Sequence, residues 1–341
     1  MEIKTHANIF HPELDGWDEI LSQSATDVPF LRRGYLANWC SNWGGGEWPP
    51  DAEIRIFSGW ENGRLAGLAP MFVADPVKEG QILRFMGAEE ISDYLDFIAR
   101  PVDIVPFLRA WLTSLDCETK GMIQTISLVN IPENSPTLPA LETIAAEIDW
   151  SIHIEKAYHT PGIPLAASWD GYLAGIDKKQ RHEIRRKLRR AEENAKSVIW
   201  RCADDAQMLD DEIDSFYTLM ETEAEKKKFL TPNMRDQMRR ILNWAFDEGF
   251  LQLSFLEING GKAAAYCCFD YNQRIYVYNS GFSMDYSDYS PGWVLLSYLI
   301  QHAIQGRKSY FDFMRGDETY KYRFGGIDSF VMRVNLSRTP N

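Results

Sequence analysis

Apolar and polar positions change period along the first half of the chain, and each change marks a predicted element. Residues 53–60 alternate with a period of two, Glu61-Asn62-Gly63 is a hairpin turn signal, and residues 64–74 return as the partner strand. Residues 30–43 have helical spacing and end at three glycines, which break helices. The other predictions are strands at 2–10, 81–86, 124–130 and 150–156 and helices at 12–21, 102–115 and 137–148.

The second half follows a proline-broken stretch at residues 160–164 and begins with a basic helix over residues 170–196. Lysines and arginines crowd around the apolar stripe of this helix. They could contact phosphates, or they could form a solvated face while the apolar stripe docks between domains. The stripe consists of Ile184, Leu188, Ala191 and Ala195. The elements predicted after it are a strand at 197–202, helices at 207–223 and 231–247, strands at 251–258, 262–271 and 274–282, and a closing strand at 329–336.

The same hairpin pattern occurs twice, roughly 200 residues apart. Residues 60–67 and 258–265 each run from a strand through an Asn-Gly turn to a basic residue, small residues and an apolar strand. Two helices precede each hairpin, and a strand, a loop, a helix and a strand follow it. The simplest interpretation is two copies of one α/β domain with a mixed sheet, at residues 1–165 and 166–341.

Residues 279–326 combine structural and chemical signals more densely than any other stretch. They read as the end of a strand, a loop, a helix opened by Ser290-Pro291-Gly292, a short strand at 310–314 and a polar cluster at 315–323. A helix N-terminus beside a strand end can hold an anionic group, because its backbone N–H groups and its dipole both favour negative charge. The polar cluster past the next strand could place reactive groups beside that anion.

The short strand Tyr310-Phe311-Asp312-Phe313-Met314 places one carboxylate on the face opposite two phenylalanines. A buried carboxylate needs a partner or a chemical task. Asp312 is therefore predicted to be a general base or a group that orients the base, or to form a structural ion pair. The candidate partners for such a pair are Arg315, Lys321 and Arg323.

Composition narrows the possible functions. With 341 residues, 45% of them hydrophobic, the chain can bury a sizeable core, and its net charge of −13 argues against a general binder of nucleic acid or anionic membranes. Neither a signal-peptide pattern nor an apolar run near the ~18 residues of a membrane span occurs, so a cytoplasmic protein without a membrane span is expected. The six histidines show no metal-ligand spacing, and no metal is predicted. The cysteines predicted to be free thiols are Cys40, Cys117, Cys202, Cys267 and Cys268.

The element order of the second half, together with four sequence features, resembles the GNAT acyltransferase superfamily. It is most similar to the CelD-like and FemAB-like branch, which carries two tandem GNAT-like domains. The resemblance rests on Tyr286, on Ser290-Pro291-Gly292, on the run FDFMRGDETYKYR at residues 311–323 and on the basic helix start Lys178-Lys179-Gln180-Arg181. It implies two mostly antiparallel mixed sheets flanked by helices, a degenerate N-terminal domain that serves as substrate platform or scaffold, and an active C-terminal acyltransferase domain.

The resemblance also implies roles for individual residues. Tyr320 resembles the general acid that some GNAT enzymes use on the leaving thiolate, with Tyr322 as a reserve, while Asp312 would assist deprotonation and Glu318 is a further catalytic candidate. Cofactor-binding candidates are Ser290, Gly292, Trp293 and Lys321, and substrate-binding candidates are Tyr286, Arg315 and Arg323. A capping role, with Ser290 as N-cap and Pro291 at the first helical position, also explains the start of this helix.

Three functions follow as expectations. The first is transfer of an acyl group from acyl-CoA, with acetyl-CoA as the expected donor, to an amine or hydroxyl of a sugar, a glycan precursor or a small metabolite. The alternative is a FemAB-type transferase that takes its donor from charged tRNA. It is favoured because Pro291 removes an amide from the phosphate loop, and disfavoured by the acidic net charge and the lack of a long helical arm. The third is a non-catalytic GNAT-fold protein of polysaccharide assembly.

Overall fold

Two β-sheets organise the chain, one in each of two structural units. The computed structural model describes residues 1–74, 81–118, 123–148 and 150–338, and the side chains of residues 116–118 and 124 lie outside this description. Unit 1 comprises Met1–Tyr158 together with the final segment Phe330–Asn341, and unit 2 comprises His159–Ser329.

The secondary-structure elements of the described residues are numbered in chain order. The strands are β1 (Glu2–His6), β2 (Glu53–Glu61), β3 (Arg64–Ala74), β4 (Gln81–Phe85), β5 (Ile98–Ala99), β6 (Ile123–Pro132), β7 (Trp150–His159), β8 (Gly162–Pro164), β9 (Val198–Cys202), β10 (Leu251–Ile258), β11 (Gly261–Tyr271), β12 (Arg274–Phe282), β13 (Tyr310–Asp312) and β14 (Phe330–Arg338). The helices are α1 (Trp17–Leu21), α2 (Arg33–Ser41), α3 (Trp43–Gly46), α4 (Ile104–Glu118), α5 (Thr137–Ala145), α6 (Trp169–Gly175), α7 (Lys178–Asn194), α8 (Leu209–Met220), α9 (Ala224–Phe229), α10 (Pro232–Asp247), α11 (Pro291–Gln305) and α12 (Thr319–Arg323). Short 3-10 helices lie at Pro12–Leu14, Pro29–Leu31 and Met284–Tyr289.

The sheet of unit 1 has the order β1-β2-β3-β4-β6-β14-β7, with β5 paired to β3. The β2–β3 hairpin confirms the predicted turn, since Asn62 and Gly63 both have positive φ values of 52° and 77°, the requirement of a tight two-residue hairpin. Large aromatic side chains from the helices and the sheet fill the core of this unit. They include Trp17, Trp39, Phe57, Phe72 and Trp111.

The sheet of unit 2 has the order β8-β13-β12-β11-β10-β9. Strands β10, β11 and β12 form the predicted antiparallel meander, and β13 returns parallel to β12 after helix α11. Helix α11 buries one face against the sheet, with Leu295, Leu299 and Ile300 almost inaccessible to solvent. The same helix packs against α7, whose buried Ile184 and Ala191 confirm the predicted apolar stripe.

The two units repeat one order of elements. In unit 1 the meander β2-β3-β4 is followed by α4 and by β6, which runs parallel to β4. In unit 2 the meander β10-β11-β12 is followed by α11 and by β13, which runs parallel to β12. The prediction of two tandem α/β domains with mixed sheets is confirmed by this repetition.

The unit boundaries differ from the predicted division at residues 165 and 166. Residues 159–165, which include the predicted proline-broken stretch at 160–164, belong to unit 2, because β8 pairs with β13. The closing strand β14 belongs to unit 1, because it pairs with β6. Both differences arise from pairing between strands that are distant in sequence, which periodicity cannot reveal.

The basic segment at residues 170–196 is two helices rather than one. Helix α6 ends at Gly175, and α7 begins at Lys178 after the N-cap Asp177, whose carboxylate accepts the backbone N–H groups of Lys179 and Gln180. An aspartate that caps in this way favours a helix start over a helix interior. The predicted single helix is therefore interrupted at residues 176 and 177.

The free-thiol prediction is confirmed for the cysteines whose side chains the structure describes, Cys40, Cys202, Cys267 and Cys268. Cys117 was predicted with them, but its side chain lies outside the described residues. Cys267 and Cys268 are both buried within β11. Among the described helices, none combines the length and the apolar character that crossing a bilayer requires.

Asp96, which lies between β4 and β5, is a buried carboxylate of unit 1. It is 1% exposed and accepts hydrogen bonds from the hydroxyls of Thr26, Ser135 and Thr137 at 2.5–2.6 Å and from the N–H of Phe97 at 2.8 Å. Burial raises the pKa of Asp96, and these hydrogen bonds oppose the rise. The carboxylate therefore joins three segments of the unit.

We expect Asp96→Ala to lower the free energy of unfolding by about 3 kcal/mol or more, because three hydroxyls and one N–H lose their buried acceptor. Urea unfolding measures the change. The exposed Asp51→Ala is the matched control and should change stability by less than about 0.5 kcal/mol. Equal small effects in both variants would contradict the structural role of Asp96.

Candidate active site

Strands β12 and β13 separate in the middle of the unit 2 sheet. They pair in parallel from Arg274/Tyr310 to Tyr276/Asp312, where β13 ends while β12 continues to Phe282. At the same point β12 carries a β-bulge toward β11, because Val277 and Asn279 face consecutive residues and Tyr278 is the extra residue. A bulge bends its strand and re-aims side chains, so β12 is turned away from the line of β13.

A cavity of about 840 Å³ lies where the strands separate. Its volume falls within the range of about 300–1,000 Å³ typical of small-molecule sites. It is bounded by residues 277–282 of β12, by residues 290–293 at the start of α11 and by side chains that follow β13. The last group consists of Phe313, Arg315, Glu318, Tyr320 and Lys321.

Gly281 lets β12 pass under the last turn of α8 at the wall of this cavity. A Cβ atom at this position would lie 2.5 Å from the backbone of Leu219 and Met220, closer than any real contact. The neighbouring atoms belong to the backbone and cannot rotate away. The path of β12 along the cavity therefore requires glycine at this position.

Lys321 organises the loop that follows β13. Its side chain is 3% exposed, and its Nζ donates to the carbonyl oxygens of Met314, Arg315 and Gly316 at 3.2, 2.6 and 3.1 Å. It also forms an ion pair with Glu318 at 2.9 Å. An ammonium group has three N–H donors, so the three carbonyls and the Glu318 carboxylate occupy all of them. Lys321 lines the cavity, yet its first role is to hold this loop.

Asp312 supports the same loop from the other side. It is 2% exposed, as predicted, and its Oδ1 accepts the N–H of Met314 at 2.8 Å. Met314 and Gly316 have φ values of 60° and 113°, so the chain makes two left-handed steps here. A non-glycine residue in this region needs fixed surroundings, which Asp312 and Lys321 provide.

Tyr320 lines the cavity from the one-turn helix α12. Burial is the main cause that raises its pKa, and the carboxylate of Glu318 adds to the rise. Tyr266 lines the same cavity from β11, and burial likewise raises its pKa far above the ordinary value. Both phenols therefore keep their protons at physiological pH and can donate them.

Helix α11 begins at the cavity in an unusual conformation. Ser290 occupies the N-cap position with φ 53° and ψ 54°, and its side chain makes no capping hydrogen bond. The prediction that the Ser290 hydroxyl caps this helix is therefore wrong, because the left-handed backbone turns the side chain away from the amides of the first turn. Pro291 is at the first helical position as predicted. The N–H groups of Trp293 and Val294 both bond to the carbonyl of Ser290.

Lys187 of helix α7 also lines the cavity. The sequence indicated that basic residues of this helix could contact phosphates but did not single out Lys187. Its ammonium lies 3.9 Å from the centre of the Trp293 ring and 3.7 Å from a Glu183 oxygen. Desolvation by burial is the main cause that lowers its pKa, and Glu183 opposes the change. A cation held over an indole at a helix N-terminus is well placed to meet an anionic group.

Three of the predicted site residues lie outside the cavity lining. Asp312 is buried behind the loop, and the exposed Arg323 follows Lys321 on α12. The half-buried Tyr286 packs with its hydroxyl against Gly261, where a Cβ atom would lie only 1.9 Å away. The predicted residues that do meet at the cavity are Ser290, Gly292, Trp293, Arg315, Glu318, Tyr320 and Lys321.

Several lining residues were not predicted. Glu223 and Lys226 come from the junction of α8 and α9, and Lys226 Nζ bonds to Glu223 at 2.8 Å and to the carbonyl of Ser280 at 2.7 Å. The run EAEKKK at residues 223–228 resembles a solvated helix end, and the sequence offers no signal that distinguishes its inward residues. Tyr266 lies within an apolar strand pattern, where an aromatic residue normally indicates core.

We expect Lys321→Met to lower the free energy of unfolding by about 3–5 kcal/mol, because three carbonyls and one carboxylate lose a buried cation. Chemical denaturation measures the loss. The matched control Lys228→Met, on an exposed helix end, should stay within about 0.5 kcal/mol of the wild type. A Lys321 variant as stable as this control would show that the loop does not depend on the ammonium.

The fold and the cavity define a class of protein, one with two tandem mixed sheets in which the second sheet opens at its parallel strand pair. Residues 178–322 match the acetyltransferase (GNAT) domain family. No curated protein matches the chain by sequence.

Solved structures with similar folds cover nearly the whole chain. FemX has a TM-score of 0.67 and 11% identity over 98% of this chain and 97% of its own. L-PGS from Bacillus licheniformis has a TM-score of 0.56 and 12% identity, covering 98% of this chain and 94% of its own. A tandem GNAT protein from the clavulanic acid biosynthesis pathway has a TM-score of 0.50 and 10% identity with complete coverage of both chains. The chain has a tandem GNAT-like fold of the FemAB-like type. The narrower CelD-like assignment stays a prediction.

Proposed function

We propose that unit 2 transfers an acyl group from acyl-CoA, with acetyl-CoA as the expected donor, to an amine or hydroxyl of a sugar, a glycan precursor or a small metabolite. The observation that carries the proposal is the cavity between the separated strands, which joins a helix N-terminus at one side to a buried tyrosine hydroxyl at another. The GNAT match over residues 178–322 supports this class of reaction.

In the proposed step the acceptor nitrogen or oxygen attacks the thioester carbonyl carbon and forms the new C–N or C–O bond. The C–S bond breaks, and Tyr320 gives its proton to the departing thiolate. The acceptor's own proton passes to a carboxylate, and solvent later returns a proton to Tyr320. The raised pKa of Tyr320 suits a group that must hold a proton until the thiolate forms.

We assign the base role to Glu318 rather than to Asp312. Glu318 lines the cavity beside Tyr320, whereas Asp312 lies behind the lining and accepts the N–H of Met314. A base must reach the proton that it accepts, and only the first carboxylate meets that condition. Asp312 then acts by holding the loop that presents Glu318 and Arg315.

The donor phosphates would lie at the start of α11. Gly292 and Trp293 border the cavity there, and Lys187 adds a positive charge above the Trp293 ring. Arg315 lines the cavity as well and is proposed to contact an anionic part of the donor or acceptor. Lys321 is not assigned to the donor, because its N–H groups already bond to the loop.

A second candidate is a transferase that takes an aminoacyl group from tRNA. The specific observation in its favour is α7, a basic helix that contributes Lys187 to the cavity and would extend positive charge beyond it. The similarity of the fold to FemX is consistent with this candidate. The third possibility, a non-catalytic protein of polysaccharide assembly, is the outcome in which no donor binds.

The donor class is tested by calorimetry with acetyl-CoA, longer acyl-CoAs and aminoacyl-tRNA. Binding of a CoA compound at micromolar to millimolar concentration, with weak salt dependence, supports the first proposal. Selective binding of aminoacyl-tRNA, with a steep loss of affinity as salt increases, supports the second. No binding of any donor contradicts both and favours the non-catalytic protein.

We expect Tyr320→Phe to reduce kcat about 100-fold with little change in donor affinity, because the variant lacks only the proton donor. Tyr322→Phe is the matched control, since its hydroxyl bonds to Asp328 and it lies outside the cavity lining. Steady-state kinetics on both variants provides the measurement. Equal rates in the two variants would remove Tyr320 from the mechanism.

The variants Asp312→Asn and Glu318→Gln distinguish the roles of the two carboxylates. An asparagine keeps an oxygen that can accept the N–H of Met314, so we expect Asp312→Asn to change kcat by less than about threefold. Glu318→Gln should reduce kcat by about 100-fold, because an amide cannot accept the acceptor's proton. The opposite order of effects would return the base role to Asp312.

We expect Lys187→Met to weaken donor binding about tenfold, because the charge beside the phosphates is lost. Lys179→Met, on the exposed part of the same helix, removes an equal charge and is the matched control. Isothermal titration with the donor measures both dissociation constants. Equal weakening by the two changes would indicate general attraction to α7 instead of contact at the cavity.

The remaining assignments are part of the proposal. Unit 1 is proposed as a degenerate GNAT-like domain that serves as scaffold or substrate platform, and unit 2 as the acyltransferase domain. A cytoplasmic location likewise remains a proposal.

A further inference from the structure

Two histidines and a glutamate converge at the start of unit 1, apart from any residue used in the proposed reaction. His6 ends β1, His11 precedes the first 3-10 helix, and Glu13 lies within that helix. One ligand atom from each side chain lies within 4.8 Å of the others. Among the residues that the structure describes, this is the one group of three or more histidine, cysteine or acidic side chains whose ligand atoms lie this close together.

A hydrogen bond at one nitrogen orients the His6 ring, as is usual for a metal-binding imidazole. It is 5% exposed, and its Nε2 lies 2.8 Å from the hydroxyl oxygen of Ser58, which also accepts the indole N–H of Trp60 at 2.9 Å. A hydrogen bond at one ring nitrogen orients a histidine and leaves the other nitrogen for a metal ion.

His11 and Glu13 complete the group from the other side. The His6 and His11 ring centroids are 4.7 Å apart, and one Glu13 oxygen lies 3.9 Å from His11 Nδ1. Ligand atoms around a tetrahedral zinc ion are about 3.4 Å apart, as metal–nitrogen distances near 2 Å require. Side-chain movements of about an ångström would therefore close the group around an ion.

Lys4 supplies a positive charge at this position in the structure. Its Nζ is 2.5 Å from Glu13 Oε1, while the second carboxylate oxygen faces His11. One oxygen could stay with the ammonium while the other coordinates a metal. The lysine would then repel the ion, so its removal should strengthen binding.

We propose that His6, His11 and Glu13 form a binding site for a divalent transition-metal ion such as Zn²⁺, with water completing the coordination. Two imidazoles and one carboxylate suit zinc and nickel rather than magnesium or calcium, which prefer oxygen ligands. The ion would tie β1 to the segment at residues 11–13 and stabilise unit 1. The site belongs to unit 1, so the proposal does not depend on acyl transfer in unit 2.

The test is titration of the full-length chain, free of any affinity tag and treated with a chelator, with ZnCl₂. We expect one saturable site, and we expect His11→Ala and Glu13→Gln each to weaken binding at least tenfold. Lys4→Met should tighten it several-fold. The matched control is His153→Ala, which removes an exposed histidine 3.5 Å from Glu155 and should leave the affinity within twofold of the wild type.

A second measurement separates ligation from surface adsorption. Zinc should raise the thermal unfolding midpoint of the wild type and of His153→Ala but not that of His11→Ala, and Mg²⁺ should raise none of them. The proposal is overturned if zinc binding does not saturate at one ion per chain, or if His11→Ala binds as tightly as His153→Ala. Because His11 and Glu13 are partly exposed, both variants are expected to fold.

Discussion

The buried ammonium of Lys321 is the interaction on which the arrangement of the candidate site depends. Three consecutive carbonyls, those of Met314, Arg315 and Gly316, accept hydrogen bonds from one cation, and without it all three, the buried Met314 carbonyl among them, would lose this donor. Asp312 fixes the opposite side of the same loop through the N–H of Met314. Because the loop is held from both sides, the neighbouring Arg315, Glu318 and Tyr320 have defined positions at the cavity. The charges of Lys321 and Asp312 therefore stabilise the loop, and they affect the chemistry of the site through the residues that the loop presents.

The cavity brings positive charge and protonated hydroxyls to one space. The start of α11 and Lys187 provide positive potential, and burial keeps the hydroxyls of Tyr320 and Tyr266 protonated. This combination results from the strand separation, because a gap in the sheet lets side chains from β11, β12 and the loop after β13 face one space. Burial of the tyrosines follows from the same geometry.

Local pattern was enough to predict most elements, and long-range pairing accounts for the failures. The hairpin at Asn62-Gly63 and the stripe on α7 depend on turn chemistry and helical period, which are properties of short segments. Strand β8 was missed because a three-residue edge strand in a proline-rich stretch has no period of its own, and its pairing with β13 depends on residues nearly 150 positions later. Local pattern does not mark Asp96 as a buried carboxylate, because its three hydroxyl partners come from segments that only the fold brings together.

The sequence by itself determined the class of fold, the repetition of the two domains and the polar run that contains the site. These follow from periodicity, from turn residues and from a motif that is contiguous in the chain. Only the tertiary structure decided which members of that run face the cavity. Residues 319–323 form a helical turn, of which Tyr320 and Lys321 line the cavity and Tyr322 and Arg323 do not. The same reason explains Lys187 and the group of His6, His11 and Glu13, because side-chain direction and distant neighbours are fixed by packing, which no short segment of sequence contains.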